Sequence, residues 1–281
     1  MNLRTMTAES LSAFEQYLKT EERSDATIKK YLRDTWQLAA WLDGRAVTKE
    51  AVAFWKEHLV EQGYDAGTVN GKLAALNAFF RFANWEDCRV KSLKRQHQVF
   101  REQERELTQD EYSQLLRTAE AMGRERLGLL METICATGIR VSEVRFITVE
   151  AAKAGRAEVA LKGKVRVILL PAKLCRKLLK YARKNKIASG EVFFTRSGRG
   201  ISRKQVWAEM KAVCKKAGVE PTKVFPHNLR HLFARCFYRA CRDIARLADV
   251  LGHSSIETTR IYLISTGVEH ARTLEDLRLV S

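Results

Sequence analysis

Ala136-Thr137-Gly138-Ile139-Arg140-Val141-Ser142-Glu143, followed far downstream by His227-Asn228-Leu229-Arg230, Leu251-Gly252-His253 and Thr258-Thr259-Arg260-Ile261-Tyr262, organises the whole chain. In these stretches Arg140 and Arg230, His227 and His253, and Tyr262 supply two guanidinium groups, two imidazoles and a phenol, a set suited to holding an oxyanion beside a nucleophile. Singly, each has a plainer use. His227 and Arg230 share a helix face, His253 follows a Leu-Gly helix end, Tyr262 would pack with its hydroxyl satisfied, and Arg140 would pair with Glu143. It is the combination that points to chemistry.

Outward from these stretches, the segment from residue 107 onward reads as one mixed α/β domain. Thr108-Gln109-Asp110-Glu111 has the form of a helix capping box. The apolar helix from Leu127 to Cys135 is stopped by Gly138, so Arg140 begins the next short helix. Ala157 to Leu161 and Val165 to Leu170 are β-prone runs around Lys162-Gly163-Lys164, which predicts a hairpin with a basic tip, and Pro171 ends its second strand. Helices follow over Leu174 to Tyr181, over Arg203 to Lys216 behind a Ser202 cap, from Pro226 to about Tyr238, from Ile244 to Leu251, and at the end over roughly Val268 to Leu277. The Ser202-capped helix presents Arg203 and Lys204 in its first turn, where they are candidates for phosphate contact.

Residues 1–88 read as a separate unit of four amphipathic helices. Ile28, Leu32, Thr35, Ala39 and Leu42 recur at alternating steps of four and three, as do Val69, Leu73, Leu76, Phe80 and Ala83. Such stripes are core. Lys29, Lys30, Arg33 and Lys72 are expected on the opposite, solvated faces, within reach of phosphates. Between the units, residues 89–106 lose the apolar period and carry Arg89, Lys91, Lys94, Arg95, Arg101 and Arg105. This basic linker, Lys94 and Arg95 included, would lie along a duplex or act as a plain tether.

The balance of charge suits a polyanionic partner. Fifty Lys and Arg against 33 Asp and Glu leave +17 on a chain that is 46% hydrophobic, too apolar to be a disordered basic tail. Nucleic acid is the expected partner rather than a membrane. No run approaches the roughly 18 apolar residues of a membrane span, and Met1 to Met6 lacks a signal-peptide core, so the expected location is the cytoplasm. The six cysteines form no C-x-x-C pair, which argues for reduced, structural thiols and against a metal site.

In-line displacement at a phosphodiester needs the inventory set out above. Two arginines can hold the non-bridging oxygens and the charge that builds on them, a tyrosine can attack, a histidine can take the phenolic proton, and a lysine can protonate the leaving oxygen. No cofactor is required, and the chain has no phosphate-binding G-x-x-x-x-G-K-[ST] loop.

The order Arg140, Lys162, His227-x-x-Arg230, Leu251-Gly252-His253 and Tyr262 resembles the tyrosine recombinase (phage integrase) family over residues 136–262. The resemblance implies a mainly α fold with a small antiparallel sheet: a four-helix, DNA-binding core-binding domain (1–88), a linker (89–106) and a catalytic domain (107–281). It implies a C-shaped clamp on duplex DNA, cleavage by Tyr262 to a 3′-phosphotyrosine, and rejoining through a Holliday junction without cofactor or metal. Arg140 and Arg230 would hold the scissile phosphate, Lys162 would be the general acid, His227 would handle the tyrosine proton, and His253 would bond to phosphate. Glu143 occupies the acidic supporting position, where it would orient His227.

The hairpin is a residue shorter than the usual Gly-Lys-Gly-x-Lys form, so Lys164 rivals Lys162 as the acid. The terminal helix would dock on a neighbouring protomer in a homo-oligomer, a tetrameric synapse at a specific double-stranded site. The short stretch ahead of the first helix favours a Xer-like or small mobile-element recombinase. Two other readings fit the same residues, a type IB-like topoisomerase and a non-catalytic DNA-binding architectural protein.

Overall fold

Thr7, Thr48 and Asp65 accept backbone N–H groups at the starts of α1 (Ala8–Thr20), α3 (Lys49–Glu61) and α4 (Ala66–Phe82), and α2 (Asp25–Leu42) follows Ser24. These four helices make up the first of two units, Met1–His97 and Gln98–Ser281, in a computed structural model that describes residues 4–94, 106–161, 164–195, 198–262 and 275–277. The apolar stripes meet in one core built on Phe14, Leu38, Trp55, Leu73, Leu76, Phe79 and Phe80. Phe14 and Phe79 pack edge to face, with ring centroids 5.3 Å apart.

Lys72 does not sit on a solvated face. It is buried between α2 and α4, bonded to Gln37 and 3.7 Å from the fully buried carboxylate of Asp34. Arg33 at 2.9 Å and Lys30 at 3.6 Å share the same carboxylate. Lys30 also donates to the Gly71 carbonyl at 2.9 Å. A buried carboxylate needs such partners, and here α4 brings one to α2.

The second unit opens with α5 (Gln109–Ala121), whose capping box closes between Thr108 and Glu111, and α6 (Glu125–Thr137), which ends in a left-handed Gly138. A 3-10 helix (Val141–Phe146) and α7 (Val149–Ala154) lead into the hairpin, β1 (Arg156–Leu161) and β2 (Lys164–Leu169), antiparallel with Leu161 opposite Lys164. Pro171 then starts α8 (Ala172–Lys184). The run Val192-Phe193-Phe194 forms no strand; isolated bridges join Thr148 to Glu191 and Phe194 to Gly200.

The unit continues with α9 (Arg203–Ala217), α10 (Pro226–Cys241), α11 (Ile244–Leu251) and α12 (Ile256–Arg260). Helix α10 packs on α6, and their shared core includes Leu130, Ile134, Leu229 and Leu232. The fold is therefore mainly helical with a small two-stranded antiparallel sheet, as the sequence leads one to expect. Among the described residues no helix is long and apolar enough to cross a membrane. Lys162, Arg95 and most of the expected terminal helix lie outside the described residues.

Candidate active site

Gly138 begins the site because nothing larger fits there. Its φ is +64°, and a Cβ would lie 2.4 Å from Cδ1 of Phe233 on α10. The bare backbone lets α6 and α10 approach, and the Gly138 carbonyl accepts a hydrogen bond from Nη1 of Arg230. Two residues on, Arg140 caps the 3-10 helix. Its backbone N–H donates to Oε2 of Glu143 at 2.8 Å and its Nη1 to Oε1 at 2.9 Å. The Arg140 side chain stays 42% exposed, while that of Glu143 is buried.

Pro226 occupies the first turn of α10, where its missing N–H costs nothing. His227, Arg230 and His231 follow at helical spacings of three and four, which puts them on one face. Arg230 is only 1% exposed. Besides Gly138 it donates to the Leu251 carbonyl at 2.8 Å, lies 2.9 Å from Nε2 of His253, and reaches the Tyr262 hydroxyl at a long 3.4 Å. Burial pulls its pKa below the ordinary guanidinium value.

Helix α11 ends at a left-handed Gly252, which turns the chain so that His253 faces Arg230. The other ring nitrogen of His253 lies 2.8 Å from the hydroxyl of the buried Thr259. Burial, and then the charges of Arg230, Arg140 and Arg166, push the His253 pKa down to about 4. Tyr262 follows α12 and is buried by three imidazoles. Its ring centroid is 4.3 Å from His231, 5.6 Å from His253 and 5.8 Å from His227.

The chain thus gathers Arg140, His227, Arg230, His253 and Tyr262 at the junction of α6, α10, α11 and α12, with Glu143 beneath Arg140. Glu143 gives its carboxylate to Arg140 and to Arg166 of β2. Lys94 is exposed, and so are Arg203 and Lys204 in the first turn of α9. Three residues that sequence reasoning misses also belong to the site: Arg166, His231 and Thr259. His231 carries a signal, four residues after His227 on the same helix face. Thr259 carries a weaker one, three residues before Tyr262.

Residues 105–267 match the phage integrase family, and residues 11–87 match the phage integrase N-terminal SAM-like domain. The chain belongs to the phage integrase family. It is 30% identical to tyrosine recombinase XerA of Pyrococcus furiosus over 99% of both chains, and 30% identical to tyrosine recombinase XerC of Roseiflexus castenholzii over 90% of this chain and 88% of that one. Its fold is shared with lambda integrase in a tetramer bound to a Holliday junction, at a TM-score of 0.72 and 19% identity, covering 90% of this chain and 76% of that one.

For an integrase the arrangement has a direct chemical reading. Arg140 offers an open guanidinium to an anion, Arg230 a buried and immobile one, and the Tyr262 oxygen lies against the second. Donors fixed by protein contacts need no reorganisation when charge develops on a phosphate. Among the described residues no three His, Cys, Asp or Glu side chains converge as a metal site.

Proposed function

We propose that this tyrosine recombinase cleaves and rejoins duplex DNA at a specific site through Tyr262. The observation that carries the assignment of residues is the Tyr262 hydroxyl on the Arg230 guanidinium, inside a ring of His227, His231 and His253. The phenolic oxygen attacks the phosphorus, the bond to the 5′ oxygen breaks, and the enzyme keeps the strand as a 3′-phosphotyrosine. His227 takes the phenolic proton, and Lys162, or Lys164 at the start of β2, returns one to the leaving 5′ oxygen. Arg140 and Arg230 hold the non-bridging oxygens, and His253, whose ring nitrogens face Arg230 and Thr259, supports the same phosphate by holding Arg230. A second strand's 5′ hydroxyl reverses the step and completes the exchange.

The four-helix unit and the basic segment 89–106 would hold the duplex, with Lys94, Arg95, Arg203 and Lys204 on phosphates. The partner is double-stranded DNA, and the working assembly is a homotetramer through a Holliday junction, one of the states in which lambda integrase shares this fold. Such an enzyme works in the cytoplasm, where the DNA is. The reading is tested by selecting a duplex from a random-sequence pool with the full chain, nicking it at successive positions, and seeking a denaturation-resistant protein-DNA adduct. Exchange of strands between two such duplexes is expected. Relaxation of supercoils without exchange would favour a topoisomerase, and tight binding with no adduct would leave only a DNA-binding protein.

A further inference from the structure

Strand β2 carries apolar residues on both of its faces and a single arginine among them. Its outward positions are Val165, Val167 and Leu169, which are 71%, 53% and 76% exposed, whereas the Arg166 side chain points inward at 17%. The inward positions that follow, Ile168 and Leu170, are 4% and 6% exposed, so Arg166 is the one polar side chain on an otherwise apolar inward face over residues 165–170. A polar residue held at a core position against the local pattern marks a functional constraint.

The contacts of Arg166 say what the constraint is. Nη2 bonds Oε2 of Glu143, whose other oxygen holds Nη1 of Arg140 at 2.9 Å. Nη1 of Arg166 donates to the Val250 carbonyl at 3.1 Å, and its stem lies across Gly252, where a Cβ would be 2.5 Å from Cδ. Among the described residues Nε is buried without an acceptor. One guanidinium therefore ties β2 to the 3-10 helix behind Arg140 and to the turn before His253.

We infer that Arg166 is a positioning residue for strand cleavage: through Glu143 it aims the Arg140 guanidinium, and through Val250 and Gly252 it sets the turn that presents His253. The inference rests on the recombinase reading above. The electrostatics agree. Burial would raise the Glu143 carboxyl, but the Arg140 N–H and the charges of Arg166 and Arg140 outweigh it and hold the group below its ordinary value. Among the described residues, Arg140, on its own helix, and Arg166, on β2, are the charged groups that pair with it.

The test is single-turnover cleavage of the selected nicked duplex by the full chain, alongside Kd and Tm. Arg166→Gln is expected to slow cleavage by about 30- to 100-fold, the scale of a small misplacement of a catalytic group, with Kd within about twofold of wild type. Its rate should also fall off at higher pH on the acid side, because Glu143 loses a cation and protonates more readily. Arg166→Lys keeps the charge without the fork, so the wild-type pH profile should return while the rate stays about five- to tenfold low.

Wild-type rate and pH profile in Arg166→Gln would overturn the inference, as would a rate loss explained by a lowered Tm with an unshifted profile. If the Gln variant does not fold, the Lys variant decides, and a wild-type rate there overturns it. Absence of adduct from the unsubstituted chain would instead sink the recombinase reading itself.

Discussion

Nη2 of Arg230 and Nε2 of His253 stand 2.9 Å apart, and this contact fixes the state of the imidazole. A guanidinium has no acceptor, so Nε2 must be unprotonated and the ring proton sits on Nδ1, where the Thr259 hydroxyl receives it at 2.8 Å. A second proton would set His253 against Arg230. The fold thus carries a neutral histidine among three arginines, in line with a pKa pushed down to about 4.

That state has a consequence for stability. The folded pKa of about 4 lies below the ordinary 6.5, so between these values the unfolded chain binds more protons. The stability contributed by neutral His253 is therefore complete above pH 6.5 and is lost as pH falls toward 4. Tm should drop more steeply from pH 7 to pH 4.5 in the wild type than in His253→Gln. Equal drops would remove His253 as the cause.

Gly138 and Gly123 make a controlled pair, since both have positive φ but only Gly138 faces a neighbour, the Phe233 ring. Gly123→Ala should cost about 1–2 kcal/mol for the left-handed backbone alone. Gly138→Ala adds overpacking of about 1–3 kcal/mol, and it displaces the carbonyl that holds Arg230. Urea unfolding should rank the two, and cleavage should slow only in Gly138→Ala. Equal stability losses would mean that α6 and α10 yield to the extra methyl.

In the N-terminal unit, Lys72→Met removes one partner of the buried Asp34 while Lys30 and Arg33 remain. Denaturation of the full chain should show a loss of roughly 3 kcal/mol. Adding Asp34→Leu should recover much of it, because no buried charge is then left uncompensated. A neutral effect of Lys72→Met would mean that Arg33 and Lys30 suffice.

Arg203 and Lys204 are exposed in the first turn of α9. Replacing both with Gln should weaken binding to every duplex and reduce the slope of log K against log salt by about 0.9 for each phosphate no longer neutralised. An unchanged slope would place these residues off the DNA.

The helices, their caps and the main site residues are legible in the sequence because they depend on local rules. Thr108 and Ser202 cap where the sequence places them, and spacing alone puts His227 and Arg230 on one face. Lys72 is not legible, since its burial depends on Asp34 arriving from another helix. Arg166 is actively disguised. The β2 run is apolar on both faces, so nothing local says which face is inward, and only Glu143 and the carbonyl of Val250, distant in sequence, explain why the arginine faces the site.

The central claim is that Tyr262 is the nucleophile, and the most direct test is adduct formation by Tyr262→Phe on the selected nicked duplex. Removing one hydroxyl from a buried ring that keeps its histidine contacts should leave duplex affinity within about fivefold, since a weak hydrogen bond contributes only about 1 kcal/mol. The expected result is retained binding with no covalent adduct; an adduct at the wild-type level from Tyr262→Phe would contradict the account.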